Sequence, residues 1–316
     1  EYAYNTALYY YADRSRSTSP QITNNDFYSC TTGISYTGIN TVAKATPTIT
    51  GNEITDAGSW GIWAKDVPST GLISGNTIIN YVNSGNGIYV EGGSPAVSGN
   101  MISGCSGYGI QMNNSSPVVT NNTIEWCGPP LVQTNACFPI YNGNDISQNT
   151  KQVIGFSGTL SSNTHWPVLP NLSHLIIDNL TVPSGVTLTI EAGVVVKFQY
   201  QSDSSSNRCL CVHGILNLQS TPGNPIVFTS DRDDSYGGDS NGDGSATAPS
   251  KWDWGHIRIY NGSNVFHDCI VRYGGYKSNS NYLVWADNCS PIIRDCTFEY
   301  AYNTALYYYA DRSRST

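Results

Sequence analysis

The chain has 316 residues and a formal net charge of −8, and only 12% of its residues are charged. Because nucleic-acid binding needs a basic face that neutralises phosphate, and the sequence has no dense Lys/Arg cluster, we expect no nucleic-acid partner. The sequence also lacks an apolar stretch of about 18 residues, so we expect no membrane span in this segment.

Residues 1–127 contain a repeat of 22–27 residues in a sequence rich in Gly and Tyr. Each copy places an asparagine after a short β-type run, and a Gly-Ile step follows in the first four copies. A period of this length without a helical pattern predicts one coil of a solenoid per repeat. The five copies are QITNNDF (21–27), TITGNEI (48–54), LISGNTI (72–78), AVSGNMI (96–102) and VVTNNTI (118–124).

This pattern resembles the right-handed parallel β-helix (pectate-lyase-like) repeat family, and in particular the large tandem-repeat microbial surface proteins. The resemblance implies an all-β fold, a right-handed parallel β-helix solenoid with one coil per 22–27 residues. Coils would stack about 4.8 Å apart, and asparagine repeated at one turn position can form a hydrogen-bonded ladder. The predicted stacking ladder comprises Asn25, Asn52, Asn76, Asn100 and Asn122.

Residues 128–229 depart from this frame. Residues 128–165 fit no coil well and are predicted to form an irregular loop or a lateral insertion. Residues 166–229 carry longer β runs, among them VPSGVTLTIEAGVVVKF (182–198). This phrase is similar to the entry coils of bacterial and archaeal β-helix surface proteins, so we expect β-helix entry coils here.

Residues 230–252 form an acidic segment that contains DSNGDG (239–244). Hard oxygen ligands at alternate positions around a tight glycine turn suit Ca²⁺, as in the first half of an EF-hand loop. Ser250 stands where that loop would have its last glutamate, so the motif is incomplete. We expect either a structural Ca²⁺ site that stiffens the loop or a solvated acidic loop. The predicted metal ligands are Asp231, Asp233, Asp234, Asp239, Asn241 and Asp243.

Residues 253–316 return to the coil pattern and end in a duplication. Residues 299–316 are identical to residues 1–18, which gives a period of 298 residues (299 − 1). If SPQITNNDF followed Thr316, as it follows Thr18, the coil frame would run through the joint unbroken. No polar cap is visible in either terminal segment, so we expect a solenoid that is uncapped at both ends and stacks on another copy.

Two acidic residues are weak catalytic candidates. Asp26 and Glu53 each follow the repeated asparagine, on adjacent coils. Stacking would bring their carboxylates within about 5 Å, the spacing found in retaining glycoside hydrolases. A pair of solvated turn residues is the simpler explanation, and no third acid or base aligns with them. We therefore expect no enzymatic activity.

An aromatic column is predicted on the outer face of the coils. Aligning the Gly-Ile steps places Trp63, Tyr89 and Tyr307, the counterpart of Tyr9, in one outward column. Exposed aromatic rings can stack on sugars or dock a neighbouring filament, and they also suit an ordinary half-covered β face. The sequence leaves these three alternatives open. The full column is Tyr9 or Tyr307, Ser35, Trp63, Tyr89 and Gln111.

Four of the nine cysteines fall in register on adjacent coils. Cys105 and Cys127 each lie five residues after a repeated asparagine, and Cys269 and Cys296 are 27 residues apart. Such neighbours form disulfides if their Cα atoms approach closely enough, or else remain a stack of buried thiols. Both alternatives stay open, and disulfides would fit an extracellular setting.

These features together predict a non-enzymatic, extracellular structural protein. It would be one unit of a tandem β-helical array that forms a filament, sheath or surface layer by end-to-end stacking with copies of itself. We expect a location outside the cell or on its surface, with Ca²⁺ as a structural ion. The alternative is a glycan-binding adhesin with cell-surface glycans as partners, or a polysaccharide-active enzyme on the same fold.

Overall fold

The structure of the chain is a computed structural model. It describes residues 6–12, 19–38, 46–81, 85–200, 202, 208–275 and 282–311. The chain is an all-β parallel solenoid of about 11 turns with about 24 residues per turn, and the described residues contain no helix. The predicted fold class is confirmed. Parts of the duplicated segments, namely residues 1–5, 13–18 and 312–316, lie outside the described residues.

The chain divides into two compact units, Glu1–Gln152 (unit 1) and Val153–Thr316 (unit 2). In the described part of unit 1, six successive coils each contribute one strand to each of three parallel sheets. The long-strand sheet comprises Leu8–Tyr11, Thr32–Thr37, Trp60–Val67, Asn86–Gly93, Ile110–Asn113 and Leu131–Thr134. The first short-strand sheet comprises Gln21–Thr23, Thr48–Thr50, Leu72–Ser74, Ala96–Ser98, Val118–Thr120 and Ile140–Asn142. The second comprises Asp26–Tyr28, Glu53–Thr55, Thr77–Ile79, Met101–Ser103, Thr123–Glu125 and Asp145–Ser147.

Stacked isoleucines form the core of unit 1. Each short strand has three residues, and alternation turns the middle one inward. Ile49 pairs in register with Ile73, and Ile54 pairs with Ile78. All four side chains are 0% exposed. Because burial of one isoleucine side chain contributes about 1.5–3 kcal/mol, repeating it at one position per coil makes a continuous core.

The Gly-Ile steps have a packing cause. A Cβ atom placed on Gly61 would lie 2.6 Å from Cγ2 of Ile78, and one placed on Gly87 would lie 2.6 Å from Cγ2 of Ile102. No side chain tolerates contacts of that length, so glycine is required where the long strand passes over the isoleucine of the next coil. The repeated Gly-Ile step is therefore a consequence of the stacked core.

Unit 2 is built on a strand with two successive partners. The ten-residue strand Ser173–Val182 pairs through its first half with Val195–Phe198 and through its second half with Leu210–Val212. It also pairs with Val153–Thr159. From Val195–Phe198 the stacking continues through Ile226–Ser230, Cys269–Arg272 and Thr297–Glu299. From Leu210–Val212 it continues through Ile257–Ile259, Tyr282–Asp287 and Thr304–Tyr309. A short-strand sheet comprises Thr164–Trp166, Thr187–Ile190, Ile215–Leu218, Val265–His267 and Ile292–Arg294.

Aromatic rings fill the interior of unit 2. Phe198 and Trp254 stack with their centroids 3.9 Å apart, and both are 0% exposed. His174 packs against Phe156 and Trp166, at centroid distances of 5.6 and 4.9 Å. Burial lowers the pKa of His174 to about 3, so this imidazole is neutral near pH 7 and packs as an aromatic ring.

The prediction that residues 128–165 form an irregular loop or insertion is wrong for much of this segment. Leu131–Thr134, Ile140–Asn142 and Asp145–Ser147 stack in register on the preceding coil. Val153–Thr159 and Thr164–Trp166 are also strands. The coil escaped recognition because Pro130-Leu131 replaces the usual Gly-Ile step, with Leu131 in register with Ile110.

Candidate functional site

An asparagine ladder runs through unit 1. Nδ2 of Asn76 donates to Oδ1 of Asn100 at 2.9 Å, and Nδ2 of Asn52 donates to Oδ1 of Asn76 at the same distance. Each of these Oδ1 atoms also accepts the main-chain N–H of the preceding asparagine, at 3.0 and 3.1 Å. The predicted ladder is confirmed, and Asn144 extends it by one coil. Its members are Asn25, Asn52, Asn76, Asn100, Asn122 and Asn144.

Each ladder amide also bonds to main-chain carbonyls. Nδ2 of Asn76 donates to the carbonyl oxygen of Ile49 in the preceding coil at 2.9 Å and to that of Ser74 at 3.2 Å. Asn76 is 0% exposed, and its donors and acceptor all have partners. Since an unpaired buried amide is costly, this full pairing lets a polar side chain occupy the interior.

A left-handed residue precedes each ladder asparagine in the described coils. Before Asn52 and Asn76 it is Gly51 with φ +65° and Gly75 with φ +61°, and before Asn25 it is Asn24 with φ +56°. Gly and Asn adopt this conformation at low cost. The left-handed residue turns the chain sharply between the two short strands, and the next side chain is thereby directed into the interior.

The other end of the second short strand carries a similar column. Oδ1 of Asn80 accepts the main-chain N–H of Ala57 at 2.8 Å, and Nδ2 of Asn80 lies 3.6 Å from Sγ of Cys105. Oδ1 of Asn149 accepts the main-chain N–H of Cys127 at 2.9 Å. Cys105 and Cys127 are both 0% exposed. Cysteine and asparagine thus share one stacked turn position.

Cysteine takes the ladder position in unit 2. Cys269 and Cys296 follow the left-handed residues Asp268 (φ +46°) and Asp295 (φ +54°). The Cys296 thiol donates to the carbonyl oxygen two residues before it at 3.2 Å and to that of Phe266, 30 residues before it, at 3.6 Å. Asn52 makes the same two bonds, to residues two and 30 positions before it. The thiol is therefore the functional equivalent of a ladder amide.

The predicted outward aromatic column has the expected register in unit 1. Tyr9, Ser35, Trp63, Tyr89 and Gln111 pair in succession. The Trp63 and Tyr89 rings lie 6.0 Å apart, and Nε1 of Trp63 donates to the Glu91 carboxylate at 3.2 Å. Ser35 is only 5% exposed, so this member of the predicted outward column does not lie on the open surface.

A charged aromatic face lies on unit 2, formed by Arg258, Tyr282, Trp285, Asp287 and Tyr307. Tyr307 pairs in register with Trp285 and stacks on Tyr282 at 4.1 Å. The Arg258 guanidinium lies 3.6 Å from the centroid of Trp285 and donates to Oδ2 of Asp287 from Nε at 3.1 Å and from Nη2 at 2.5 Å. Nε1 of Trp285 is buried without a hydrogen-bond partner. This face therefore combines stacked aromatic rings with a charged hydrogen-bonded pair.

The acidic loop closes on itself. Asp239 accepts the main-chain N–H groups of Gly242 and Gly244 at 2.7 Å. Asp243 accepts those of Ser245 and Ala246 at 3.1 Å. Within the described residues, no three His, Cys, Asp or Glu side chains form a group that could hold a metal ion. The predicted ligands Asp231, Asp233, Asp234, Asp239, Asn241 and Asp243 are thus not brought together as one cage.

A buried lysine lies beneath this loop. Nζ of Lys197 donates to the carbonyl oxygens of Asp233 at 3.1 Å and Gly238 at 2.5 Å. Burial lowers the pKa of Lys197 to about 8, against the opposing effect of Asp233 and its acidic neighbours. Burial, followed by the Asp239 carboxylate, raises the pKa of Asp234, whose Oδ1 is buried without a partner. Lys197 offsets part of the negative charge at Asp234, and Nε of Arg272 lies 3.6 Å from Oδ2 of Asp233, but repulsion from Asp239 still helps to raise the pKa of Asp234.

The two candidate carboxylates lie side by side on the surface. Asp26 pairs in register with Glu53, as the sequence predicted, and both side chains are exposed. The next residue in this column is Thr77. Asp26, followed by burial and then by Glu53, raises the pKa of the adjacent Tyr28. These contacts are those of a solvated strand face.

The comparisons with known proteins agree with this architecture. A family model described as "Right handed beta helix region" matches residues 7–166 and 69–209, and these overlapping ranges cover more than half of the chain. The chain belongs to the right-handed β-helix family. No curated protein and no solved structure matches this right-handed β-helix.

Three amides of this β-helix were missed by sequence reasoning. Asn144 follows Gly143 in YNGNDI, which is the same local pattern as TGNEI around Asn52, so the signal was present. Asn80 and Asn149 carried no such pattern, because their column alternates with Ala57, Cys105 and Cys127. A pattern that also accepts cysteine and alanine at this second column would have identified Asn80 and Asn149.

The four aligned cysteines of the β-helix are free thiols in this structure. Cys105 and Cys127 each lie two residues after the paired residues Ser103 and Glu125, and Cys269 and Cys296 directly precede the paired residues Ile270 and Thr297. The predicted stacking is therefore observed in the form of thiols. In the described residues, no helix has the length and apolarity needed to cross a membrane.

Replacing one ladder amide by a carboxylate tests the energetic importance of the ladder. In Asn76→Asp, an oxygen replaces the Nδ2 donor and faces the Ile49 carbonyl and Asn100 Oδ1. We expect the free energy of unfolding at pH 7 to fall by about 3 kcal/mol or more. Because burial raises the pKa of this new carboxyl, the protonated form regains a donor at low pH. The stability deficit should therefore shrink as pH falls and grow as pH rises, measured by urea unfolding at several pH values.

The exposed Asn303 supplies the matched control. Asn303→Asp should change the free energy of unfolding by less than about 0.5 kcal/mol at every pH tested. If Asn76→Asp behaved like this control, the ladder would be incidental to stability.

Proposed function

We propose that this chain is one unit of an extracellular tandem β-helical array. Successive units stack coil on coil into a filament, sheath or surface layer, in the manner of large microbial surface proteins. The duplicated sequence and its strand pairings are the main support for the proposal. The proposal assigns no catalytic reaction, and it treats Asp26 and Glu53 as solvated surface residues.

The observation that carries the proposal is that the duplicated strand occurs twice in the structure. It is paired once with the coil that follows it and once with the coil that precedes it. In unit 1, Leu8–Tyr11 pairs in parallel with Thr32–Thr37 of the following coil. In unit 2, the identical residues lie in Thr304–Tyr309, which pairs with Tyr282–Asp287 of the preceding coil. One strand sequence is thus compatible with a coil on each edge. Superposing the two pairings gives a sheet that continues from one copy to the next.

Side-chain packing at the joint supports the same continuity. Leu306 is in register with Val284, and its counterpart Leu8 is in register with Ile34. A leucine at the joint would therefore be covered on both sides by apolar side chains. Tyr10 stacks on Tyr36 at 5.4 Å with a 5° angle between the rings, which adds an aromatic contact to the same joint.

The ladder position also continues in frame. Cys269 and Cys296 are 27 residues apart, and the Asn25 of a following copy would come 27 residues after Cys296. All three residues follow a left-handed residue. Main-chain and side-chain hydrogen bonds would then run parallel to the filament axis without interruption, which suits a protein that bears tension.

Calcium remains our proposed structural ion for the acidic loop. Repulsion from Asp239 and Asp243 helps to raise the pKa of Asp234, and Oδ1 of Asp234 is buried without a partner. A divalent cation would relieve this repulsion by drawing the three carboxylates together. In the arrangement described, the loop would have to tighten to bind the ion.

A glycan-binding adhesin is the second candidate function. The charged aromatic face of unit 2 supports it, because sugars bind to flat aromatic rings flanked by charged hydrogen-bonding groups. Binding of the folded chain on a polysaccharide array, lost in Trp285→Ala and retained in Trp126→Ala, would establish this role. If the chain bound no glycan, or if Trp126→Ala lost binding equally, the glycan-binding role would be excluded. A polysaccharide-active enzyme that uses this face would be excluded as well.

A chain of two periods, residues 1–298 followed by residues 1–316, tests the proposed joint. If the sheet is continuous, the joint strand is protected, so chymotrypsin should not cut after its tyrosines under native conditions. Electron microscopy should show one continuous rod for each molecule. Two separate bodies linked by a rapidly cut joint would contradict the proposed stacking.

Neighbouring residues in the joint strand supply the variant and its control. In this two-period chain, Leu8→Asp in the second period should expose the joint to chymotrypsin, because Leu8 is the counterpart of Leu306 and the substitution places a charge between Val284 and Ile34 of the apolar column. Tyr9→Asp in the second period changes the adjacent outward position and should leave the joint protected.

Removal of calcium with EGTA should speed cleavage after Tyr236 in the acidic loop, and an unchanged rate would exclude structural calcium.

A further inference from the structure

An exposed aromatic corner lies on unit 1, formed by Tyr81, Glu125 and Trp126. Tyr81 is 65% exposed and Trp126 is 53% exposed. Ser103 and Glu125 pair in register on adjacent coils, and the left-handed residues Gly104 and Trp126 follow them directly. These residues adjoin the third, fourth and fifth strands of a six-stranded sheet, so the corner has coils on both sides of it along the solenoid axis.

The Tyr81 ring lies flat on the coil that follows it. A Cβ atom placed on Gly104 would lie 2.4 Å from Cδ1 of this ring, 2.6 Å from Cε1 and 3.0 Å from Cγ. One face of the ring therefore covers the glycine, which admits this contact because it has no side chain. Since Tyr81 is still 65% exposed, the opposite face of the ring is open to solvent.

A hydrogen-bond chain joins this ring to a carboxylate. The Ser103 hydroxyl donates to Oε1 of Glu125 at 3.3 Å, so it accepts the Tyr81 hydroxyl at 2.8 Å. The chain fixes the ring beside Glu125. Among the described residues, no Lys, Arg or His side chain forms an ion pair with Glu125. The aromatic corner therefore carries a negative charge without a cationic partner in the described part of the chain.

Trp126 has an unfavourable backbone conformation that folding does not explain. Its φ of +56° lies in the left-handed region, which is costly for a bulky residue. In other coils of unit 1 a left-handed turn after the second short strand holds Asp56 or Gly104, which adopt this conformation more easily. Tyr273 and Tyr300 hold left-handed positions in unit 2, but their rings stack on each other at 4.8 Å. Backbone strain of this kind is concentrated at functional sites.

The chemistry of this corner favours a cation with an apolar surface. The faces of aromatic rings carry negative electrostatic potential, and the Glu125 carboxylate adds a negative charge beside them. The net charge of −8 also attracts cations to the chain and repels anions. A quaternary ammonium ion combines a positive charge with methyl groups that pack on aromatic rings, and it needs no hydrogen-bond acceptor.

We propose that Tyr81, Glu125 and Trp126 form a binding site for small quaternary ammonium ions of the choline type. The methyl groups pack on the open face of Tyr81 and on the Trp126 indole, which lies about one coil spacing of 4.8 Å beyond Gly104, and Glu125 supplies the opposite charge. The site is complete within unit 1, so it does not depend on the proposed filament.

The test is an NMR titration of the folded chain with choline, followed through the tryptophan indole N–H resonances. We expect the Trp126 resonance to shift saturably with a dissociation constant of about 1 mM or below. The neutral isostere of choline, in which a tert-butyl group replaces the trimethylammonium group, should bind at least about tenfold more weakly. Equal binding of the isostere, or no saturable shift up to about 50 mM choline, would overturn the proposal.

Three variants assign the site. Trp126→Asn should weaken choline binding at least about tenfold, and Glu125→Gln at least about threefold. Because asparagine adopts the left-handed conformation at low cost, Trp126→Asn should unfold at an unchanged or higher urea concentration. Trp285→Ala is the matched control and should leave choline binding unchanged, since the Arg258 guanidinium already lies 3.6 Å from the Trp285 ring centroid.

Two results with these variants would contradict the assignment. Unchanged choline affinity in Trp126→Asn would place the binding elsewhere, and a clearly lower urea midpoint for this variant would give Trp126 a role in folding instead. Vesicles of phosphatidylcholine supply the same head group on a membrane. If the chain bound these vesicles but not free choline, a site for small ions would be excluded.

Discussion

Each coil of unit 1 depends on a turn in which a left-handed residue directs the next side chain into the solenoid. That side chain hydrogen-bonds to main-chain groups of a neighbouring coil, as Asn76 does with Ile49 and Asn52. A sharp turn leaves main-chain groups without strand partners, and the ladder side chain pairs them. The short strands and the stacked isoleucines on either side are positioned by this turn. The left-handed residue and the ladder residue therefore act together.

The chemistry at the ladder position varies while the geometry is retained. Asparagine, which has both a donor and an acceptor, links successive side chains in unit 1, and a cysteine thiol in unit 2 donates to equivalent carbonyls. In the acidic loop, Lys197 likewise pairs main-chain carbonyls from a buried position.

Much of this architecture could be predicted because it repeats. The asparagines and the outward aromatic column recur at one coil length, so their register followed from counting residues. Pro130-Leu131 concealed a coil because it departs from the Gly-Ile step, although Asn144 retained the pattern. Lys197 could not be predicted, because its partners lie 36 and 41 residues later in a segment without strands. Repetition reveals periodic contacts, whereas contacts made once require the folded chain.

Residue-resolved amide hydrogen exchange tests the central claim most directly. In an ordinary turn, the main-chain N–H groups of Asn52, Asn76 and Asn100 would face water and exchange rapidly. Here each donates to the next ladder side chain, at 3.0–3.1 Å. Our account predicts that these three amides exchange as slowly as those of the adjacent buried strand residues such as Ile54 and Ile78. Exchange at the rate of exposed turn amides would contradict the ladder as the interaction that holds the coils together.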